Sequence, residues 1–187
     1  YPGIKRIISV SQATQDIMAP AIKDHSKLRV VYSGIDTRKA VEVDGRLRKE
    51  LRLPDNAIMI GNVAALADHK DPYTFINVAE ALKDHPQYYF VWIGGGEMEQ
   101  EVKTEIRNRG LQKKVLFTGF RKDVRDILPE LSFFMMTSKT EGLGTSILDA
   151  YISELPVIAT AAGGIPELVE HGKTGLLAPV GDAEALA

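Results

Sequence analysis

The sequence has 187 residues, 44% of them hydrophobic and 26% charged, with a formal net charge of −2. A chain of this size can bury roughly 70% of its unfolded surface, which argues against disorder, and the balanced charge points to no nucleic-acid partner. The absence of cysteine excludes disulfides and thiolate metal sites. The four histidines, His25, His69, His85 and His171, are too scattered for a helical ligand pair, so no metal site is expected. No run approaches the ~18 apolar residues of a membrane-spanning helix. Tyr1 is not followed by a basic-then-apolar leader. Near the end, Asp182 can cap a helix with only about five residues left to run, too short to stand alone, which suggests a piece of a longer protein.

In chain order, β-branched residues at 7–10 predict a strand and 12–23 a helix. Residues 28–32 predict a strand ending at Ser33-Gly34, and the charged stretch 43–52 a helix. The apolar run 57–63 predicts the next strand. Asp71-Pro72 marks a helix start, because Asp caps and Pro tolerates the first helical position, and Phe75, Val78, Ala79 and Leu82 follow at helical spacing. Strand 88–93 ends in Gly94-Gly95-Gly96, helix 97–109 stops at Gly110, and strand 115–118 closes at Gly119. Helix 123–131, strand 133–137, helix 145–153 and strand 156–160 follow. Gly163-Gly164 opens a short helix near Pro166, and Gly172 and Gly175 bracket a turn before strand 176–180.

Continuously apolar strands alternating with helices imply a parallel sheet covered on both faces, an α/β, doubly wound, Rossmann-like fold. Ligands of such folds bind beyond the carboxyl ends of the strands. Glycine is concentrated in the turns there, although turns of this kind need glycine for conformational reasons alone. The dinucleotide fingerprint is absent, since Gly94-Gly95-Gly96 lacks the third glycine of the pattern. Gly172-Lys173-Thr174 resembles the end of a P-loop, but the required upstream glycine is Glu167.

The richest segment runs from Ser138 through Glu141-Gly142-Leu143-Gly144-Thr145 to Asp149, after the most apolar strand. Its glycines permit close backbone approach where a helix begins, and free N–H groups there attract anions. Carboxylates on both sides of such a turn suit a ligand with both phosphates and hydroxyls. The plainer alternatives are that Asp149, at capping-box spacing from Ser146, bonds back to its own helix, and that Glu141 is a solvated loop carboxylate. Lys70 stands immediately before the Asp71-Pro72 helix, where a cation opposes the dipole by ~0.3–1 kcal/mol unless an anion intervenes. Its alternative is an exposed, flexible lysine.

Taken together, Glu141-Gly142-Leu143-Gly144 with Asp149, Leu155-Pro156-Val157-Ile158-Ala159-Thr160, Gly163-Gly164-Ile165-Pro166-Glu167 and Gly172-Lys173-Thr174-Gly175 resemble the retaining nucleotide-sugar glycosyltransferases of group one. Val10-Ser11-Gln12-Ala13-Thr14 and Ser33-Gly34-Ile35-Asp36 resemble that family's segments at the junction of its two lobes, and the likeness covers nearly the whole chain. The resemblance implies the C-terminal half of a two-lobed GT-B enzyme. Residues 1–34 would lead from the end of the N-terminal lobe into the first strand of the donor lobe, and 35–187 would be the donor-binding domain, truncated at its C-terminus.

It also implies roles. Glu141 would touch the transferred sugar and Lys70 would neutralise the diphosphate. Gly142, Leu143, Gly144 and Thr145 would give N–H groups to the distal phosphate, Asp149 would bind the ribose, and the main chain at Gly119, Phe120 and Arg121 would lie against the base. The donor is an NDP-sugar, no cofactor is expected, and the acceptor would be bound by the absent N-terminal lobe. The family implies hexosyl transfer in glycan or cell-envelope polysaccharide synthesis, in the cytoplasm or peripherally at the inner membrane face. The isolated chain is expected to bind donor weakly without turnover. Two departures stand out: Asp149 replaces the family's second glutamate, and Ala65 occupies the place of an arginine five residues before Lys70, for which Arg121, Lys139 or the absent lobe could compensate. A non-catalytic nucleotide-binding or scaffolding domain and a sugar-nucleotide epimerase are the alternative readings.

Overall fold

A computed structural model describes residues 3–37 and 43–187; Tyr1, singled out in the sequence, lies outside them. The chain forms β1 (Ile7–Ser9), α1 (Gln12–Met18), β2 (Leu28–Val30), α2 (Arg46–Glu50), β3 (Ile58–Val63), α3 (Pro72–Ala81) and β4 (Tyr88–Ile93). It continues with α4 (Glu99–Asn108), β5 (Val115–Gly119), α5 (Val124–Ile127), β6 (Phe133–Met136), α6 (Ser146–Ile152), β7 (Val157–Thr160), β8 (Gly175–Ala178) and α7 (Ala183–Leu186). Six strands make one sheet in the order β5-β4-β3-β6-β7-β8, and every pairing in it is parallel. The expected doubly wound, Rossmann-like α/β fold is therefore present.

The strands read as unbroken apolar runs because successive residues enter different cores. Met59, Val91, Ile93, Phe134 and Met136 pack with Ile127, Leu128, Ile147 and Ala150 of the α5 and α6 side. Their neighbours Ile60, Phe90, Trp92 and Met135 pack with Phe75, Ile76, Val102 and Ile106 of α3 and α4. A strand buried on both faces has no polar alternation to show. On the second face the Phe75 ring stands perpendicular to Phe90 and Trp92, with centroids 5.6 and 5.3 Å apart, the edge-to-face arrangement that ring quadrupoles favour.

Two departures from expectation concern the first half. Leu28–Val30 pairs in parallel with Ile7–Ser9 in a separate two-stranded sheet and takes no place in the six-stranded one. The predicted helix 12–23 is α-helical only to Met18, after which Pro20 sits in a 3₁₀ turn at Ala19–Ala21. At α2 the residue before the helix is Gly45, which has no side chain for a cap, and the buried Glu130 carboxylate takes that role by accepting from Leu47 N (3.0 Å) and Arg48 N (3.1 Å). None of the helices among the described residues is long and apolar enough to cross a membrane.

Candidate functional site

The strand order decides where a ligand can sit. From β3 the chain moves outward to β4 and β5, then returns to β6 on the other side of β3 and continues outward to β8. The crevice between β3 and β6 is the point where the winding reverses, the place at which open α/β sheets hold ligands. Lys70 lies in the loop after β3 and Glu141 in the loop after β6.

The two loops are fastened together. Lys139 N donates to the His69 carbonyl at 2.9 Å. Thr137, buried at the end of β6, shares its hydroxyl between the carbonyls of Lys70 (3.2 Å) and Asp71 (3.0 Å). Lys70 Nζ contacts Glu141 Oε1 directly, both side chains being largely buried at 20% and 10% exposed. Ser138 Oγ donates to the same Oε1 at 2.8 Å. Lys70 is thus neither free nor flexible, and Glu141 is not a solvated carboxylate.

Each partner is held from behind. Asp71 caps α3, its carboxylate accepting from Thr74 N (3.2 Å) and Thr74 Oγ1 (2.7 Å), and fixes the turn that carries Lys70. The loop after β3 is fixed by Trp92, whose Nε1 donates to the Ala64 carbonyl at 3.0 Å. Gly94, at φ +140°, backs against that carbonyl so closely that a Cβ would stand 2.0 Å from it. The Glu141 main chain is held by Gly164 N, which donates to the Glu141 carbonyl at 3.1 Å. Gly144 has φ +88°, a left-handed conformation that glycine adopts without strain.

Asp149 lies in the first turn of α6, but no side chain caps that helix, and its carboxylate pairs with Arg125 Nε at 3.1 Å. The capping-box alternative for Asp149 is not realised. Gly119 ends β5, and Phe120 and Arg121 follow it, two strands from β3, or ~10 Å across the sheet at ordinary strand spacing. Gly119 accepts from Gly94 N at 3.0 Å, and the Phe120 ring is 80% exposed at this rim. Arg121, the expected substitute for a cation at Ala65, is already paired. Its guanidinium is committed to Asp123 (2.7 Å) and Glu50 (2.6 Å), whose hydrogen bonds push its pKa further up, while Arg121 holds the Asp123 carboxyl down at about 2. Lys139 pairs with Asp68 at 2.7 Å in a solvent-exposed bridge, whose hydrogen bond raises the lysine pKa. Such a bridge is worth little and is easily exchanged.

Several residues that the sequence did not single out also shape the site. Glu167 receives N–H bonds from Gln12 and Ala13 and the Tyr32 hydroxyl, all at 2.8 Å. Partial burial pushes the Glu167 pKa up, but these bonds outweigh it and hold the group below its ordinary value. Thr14 Oγ1 donates to the Gly142 carbonyl at 3.2 Å, so α1 touches the glycine turn directly. Ser138 and Thr160 complete the set at the ends of β6 and β7. Both lie in segments that the sequence marks, Ser138 just after β6 and Thr160 as the last residue of β7, but nothing local to either shows which carbonyl or carboxylate its hydroxyl meets.

The family model for glycosyl transferases group 1 matches residues 43–187. The amylovoran biosynthesis glycosyltransferase AmsK of Erwinia amylovora is 33% identical over 170 residues, covering 86% of this chain and 40% of that protein. The Vi polysaccharide biosynthesis protein VipC/TviE of Salmonella typhi is 30% identical over 155 residues, covering 80% of this chain and 27% of its own length. Among solved structures, Anabaena Alr3699/HepE in complex with UDP-glucose superposes with a TM-score of 0.89 at 29% identity, covering 98% of this chain and 52% of that one. The chain spans less than half the length of these two curated relatives and about half of the solved structure. With 145 of its residues matched from position 43 to position 187, the chain belongs to the glycosyl transferases group 1 family.

Proposed function

We propose that this chain is the C-terminal, donor-binding lobe of a two-lobed GT-B enzyme that transfers a hexosyl unit from a nucleoside-diphosphate sugar with retention of configuration. Residues 35–187 form the lobe, and 1–34 are the junction to a lobe that binds the acceptor. The observation that carries this reading is the Lys70–Glu141 contact at the winding reversal between β3 and β6, beside the turn at Gly142, Leu143, Gly144 and Thr145. A relative named as a glycosyltransferase, and a neighbour solved with UDP-glucose, support the same chemistry.

Transfer breaks the bond between the anomeric carbon and the diphosphate oxygen, and the electron pair leaves with the diphosphate. Lys70 stabilises that growing charge. A preorganised donor in such a position is worth ~2.7–4 kcal/mol of barrier. The turn amides hold the distal phosphate. Because α6 has only seven residues, its dipole adds little and the lysine carries most of the positive potential. Glu141 lies close enough to Lys70 to repel a bare diphosphate, so a sugar hydroxyl donating to it favours the whole donor over the nucleotide alone. Asp149 binds the ribose after exchanging Arg125, and the base lies along Gly119, Phe120 and Arg121.

Calorimetric titration of the chain with UDP-glucose, GDP-mannose and ADP-glucose tests the reading. Binding of one of them, lost in Glu141→Ala, is expected; a folded chain that takes none sinks it. Ala65 favours a second reading, a lobe that binds nucleotide without catalysing. In the full-length enzyme, Glu141→Ala abolishes product if the lobe is catalytic and leaves function unchanged if it is a scaffold.

A further inference from the structure

We propose that Ser138 is a positioning residue for Glu141, keeping the carboxylate in place when Lys70 turns to a bound anion. Its consequence for binding rests on the donor-site reading above; its geometry does not.

Two groups hold Glu141 Oε1: the Lys70 ammonium and the Ser138 hydroxyl at 2.8 Å. They differ in what competes for them. An ammonium has three donors and a full charge, so a diphosphate draws it away while repelling the carboxylate beside it. The neutral hydroxyl has one proton and no stronger partner nearby than Glu141, and a bond from a hydroxyl to a carboxylate is roughly twice as strong as a neutral one. With both bonds on Oε1, Oε2 is the oxygen left for a sugar hydroxyl.

Ser138 itself is placed firmly. It is 1% exposed, and the hydroxyl of the fully buried Thr160 donates to its carbonyl at 2.7 Å. That bond locks the peptide at the end of β6 to the end of β7. On the other side the Glu141 carbonyl is fixed by Gly164 N at 3.1 Å. The main chain is therefore set at both ends of the turn 138–141, and only the Glu141 side chain has freedom for Ser138 to remove. Thr137 does the corresponding work for the other partner through the Lys70 and Asp71 carbonyls.

The test uses this chain and two arms. In the nucleotide-free arm, the crystal structure of Lys70→Met is expected to keep the Glu141 carboxylate within hydrogen-bond distance of Ser138 Oγ; a Glu141 side chain turned away overturns the proposal. In the binding arm, UDP and UDP-glucose are titrated calorimetrically into wild type, Ser138→Ala and Ser138→Thr. Ser138→Ala is expected to change UDP affinity less than about twofold and to weaken UDP-glucose about tenfold, the scale of one bond to a charged group. Ser138→Thr, which keeps the hydroxyl, restores UDP-glucose binding to within about threefold. Equal losses for both probes, or no loss for UDP-glucose, overturn the proposal, since a merely structural hydroxyl would not separate them. A wild-type chain that binds neither probe sinks the donor reading, and the Lys70→Met structure then decides on Ser138 alone, as it also does if Ser138→Ala does not fold.

Discussion

Lys70 and Ala65 together set how much positive charge the crevice offers. Ala65 is exposed on a loop whose neighbour Ala64 is fixed by Trp92, so a longer side chain there finds open solvent and a rigid base. Replacing Lys70 by Met is expected to lower UDP affinity at least about tenfold, and Ala65→Arg to raise it several-fold, with a steeper dependence on salt as the added charge is screened. Calorimetry at two ionic strengths reads both effects; a Lys70→Met variant that binds UDP like wild type would contradict the assignment. Asp123 makes a separate, pH-dependent contribution. Arg121 holds its carboxyl at about 2, below its ordinary value of 3.8, so its stabilisation is complete above the unfolded value and is lost as pH falls through the folded one. The stability gap between wild type and Asp123→Asn should therefore shrink between about pH 4 and pH 2 in urea titrations, and a gap unchanged over that window would dispose of the claim. In the sequence Glu141 stands out by its glycine-marked turn, and Lys70 by its place just before the Asp71-Pro72 helix start. The distant contacts are not legible: Arg125 reaches Asp149 across 24 residues, and Glu167 holds the amides of Gln12 and Ala13 from more than 150 residues away, whereas Ser138 is only three residues from Glu141.

At the scale of elements, the strands of the six-stranded sheet fall within a residue or two of their sequence expectation, since burial on both faces leaves an uninterrupted apolar run. Helix starts were legible where the cap is local and obscure where it is remote. Asp71 shows the first case. Its carboxylate binds Thr74 N and Thr74 Oγ1 three residues on, and it does so at φ +48°, a left-handed conformation that aspartate tolerates better than most residues. Glu130 shows the second, capping α2 from 83 residues away. Removing the buried Asp71 carboxylate in Asp71→Ala is expected to cost about 1–2 kcal/mol, which at this chain length lowers Tm by roughly 2–8 °C. Asp71→Asn, which keeps an acceptor and suits the same conformation, should recover most of the loss. Calorimetric melting decides, and equal Tm values for Asp71→Ala and wild type would show that the cap contributes nothing.

The whole molecule brings three distant stretches to one point, which sequence order conceals. The start of α1, the glycine turn after β6 and the Gly163-Gly164 turn after β7 meet at Gly164: a Cβ there would stand 2.4 Å from the Gly142 carbonyl oxygen and 3.0 Å from Ser11 Cβ. Around this point Glu167 holds the amides of Gln12 and Ala13, and Thr14 holds the Gly142 carbonyl. Gly164 has φ −81°, which any residue adopts, so the need for glycine is contact and not conformation. Gly163 differs, because it combines φ +52° with a still closer approach, 2.0 Å from a Cβ to the Glu141 carbonyl oxygen. Gly164→Ala is therefore the cleaner probe: its added methyl can be accommodated only by parting the Glu141 loop from α1. Overpacking of this kind costs about 1–3 kcal/mol, or roughly 2–12 °C in Tm at this length. Because the displaced backbone carries Glu141, the same variant should lose UDP-glucose binding about as far as Glu141→Ala does, even at temperatures where it is fully folded. A Gly164→Ala protein with wild-type melting and wild-type UDP-glucose affinity would mean that the three segments are not packed together at this point, and that the link from α1 to the Glu141 loop does not exist.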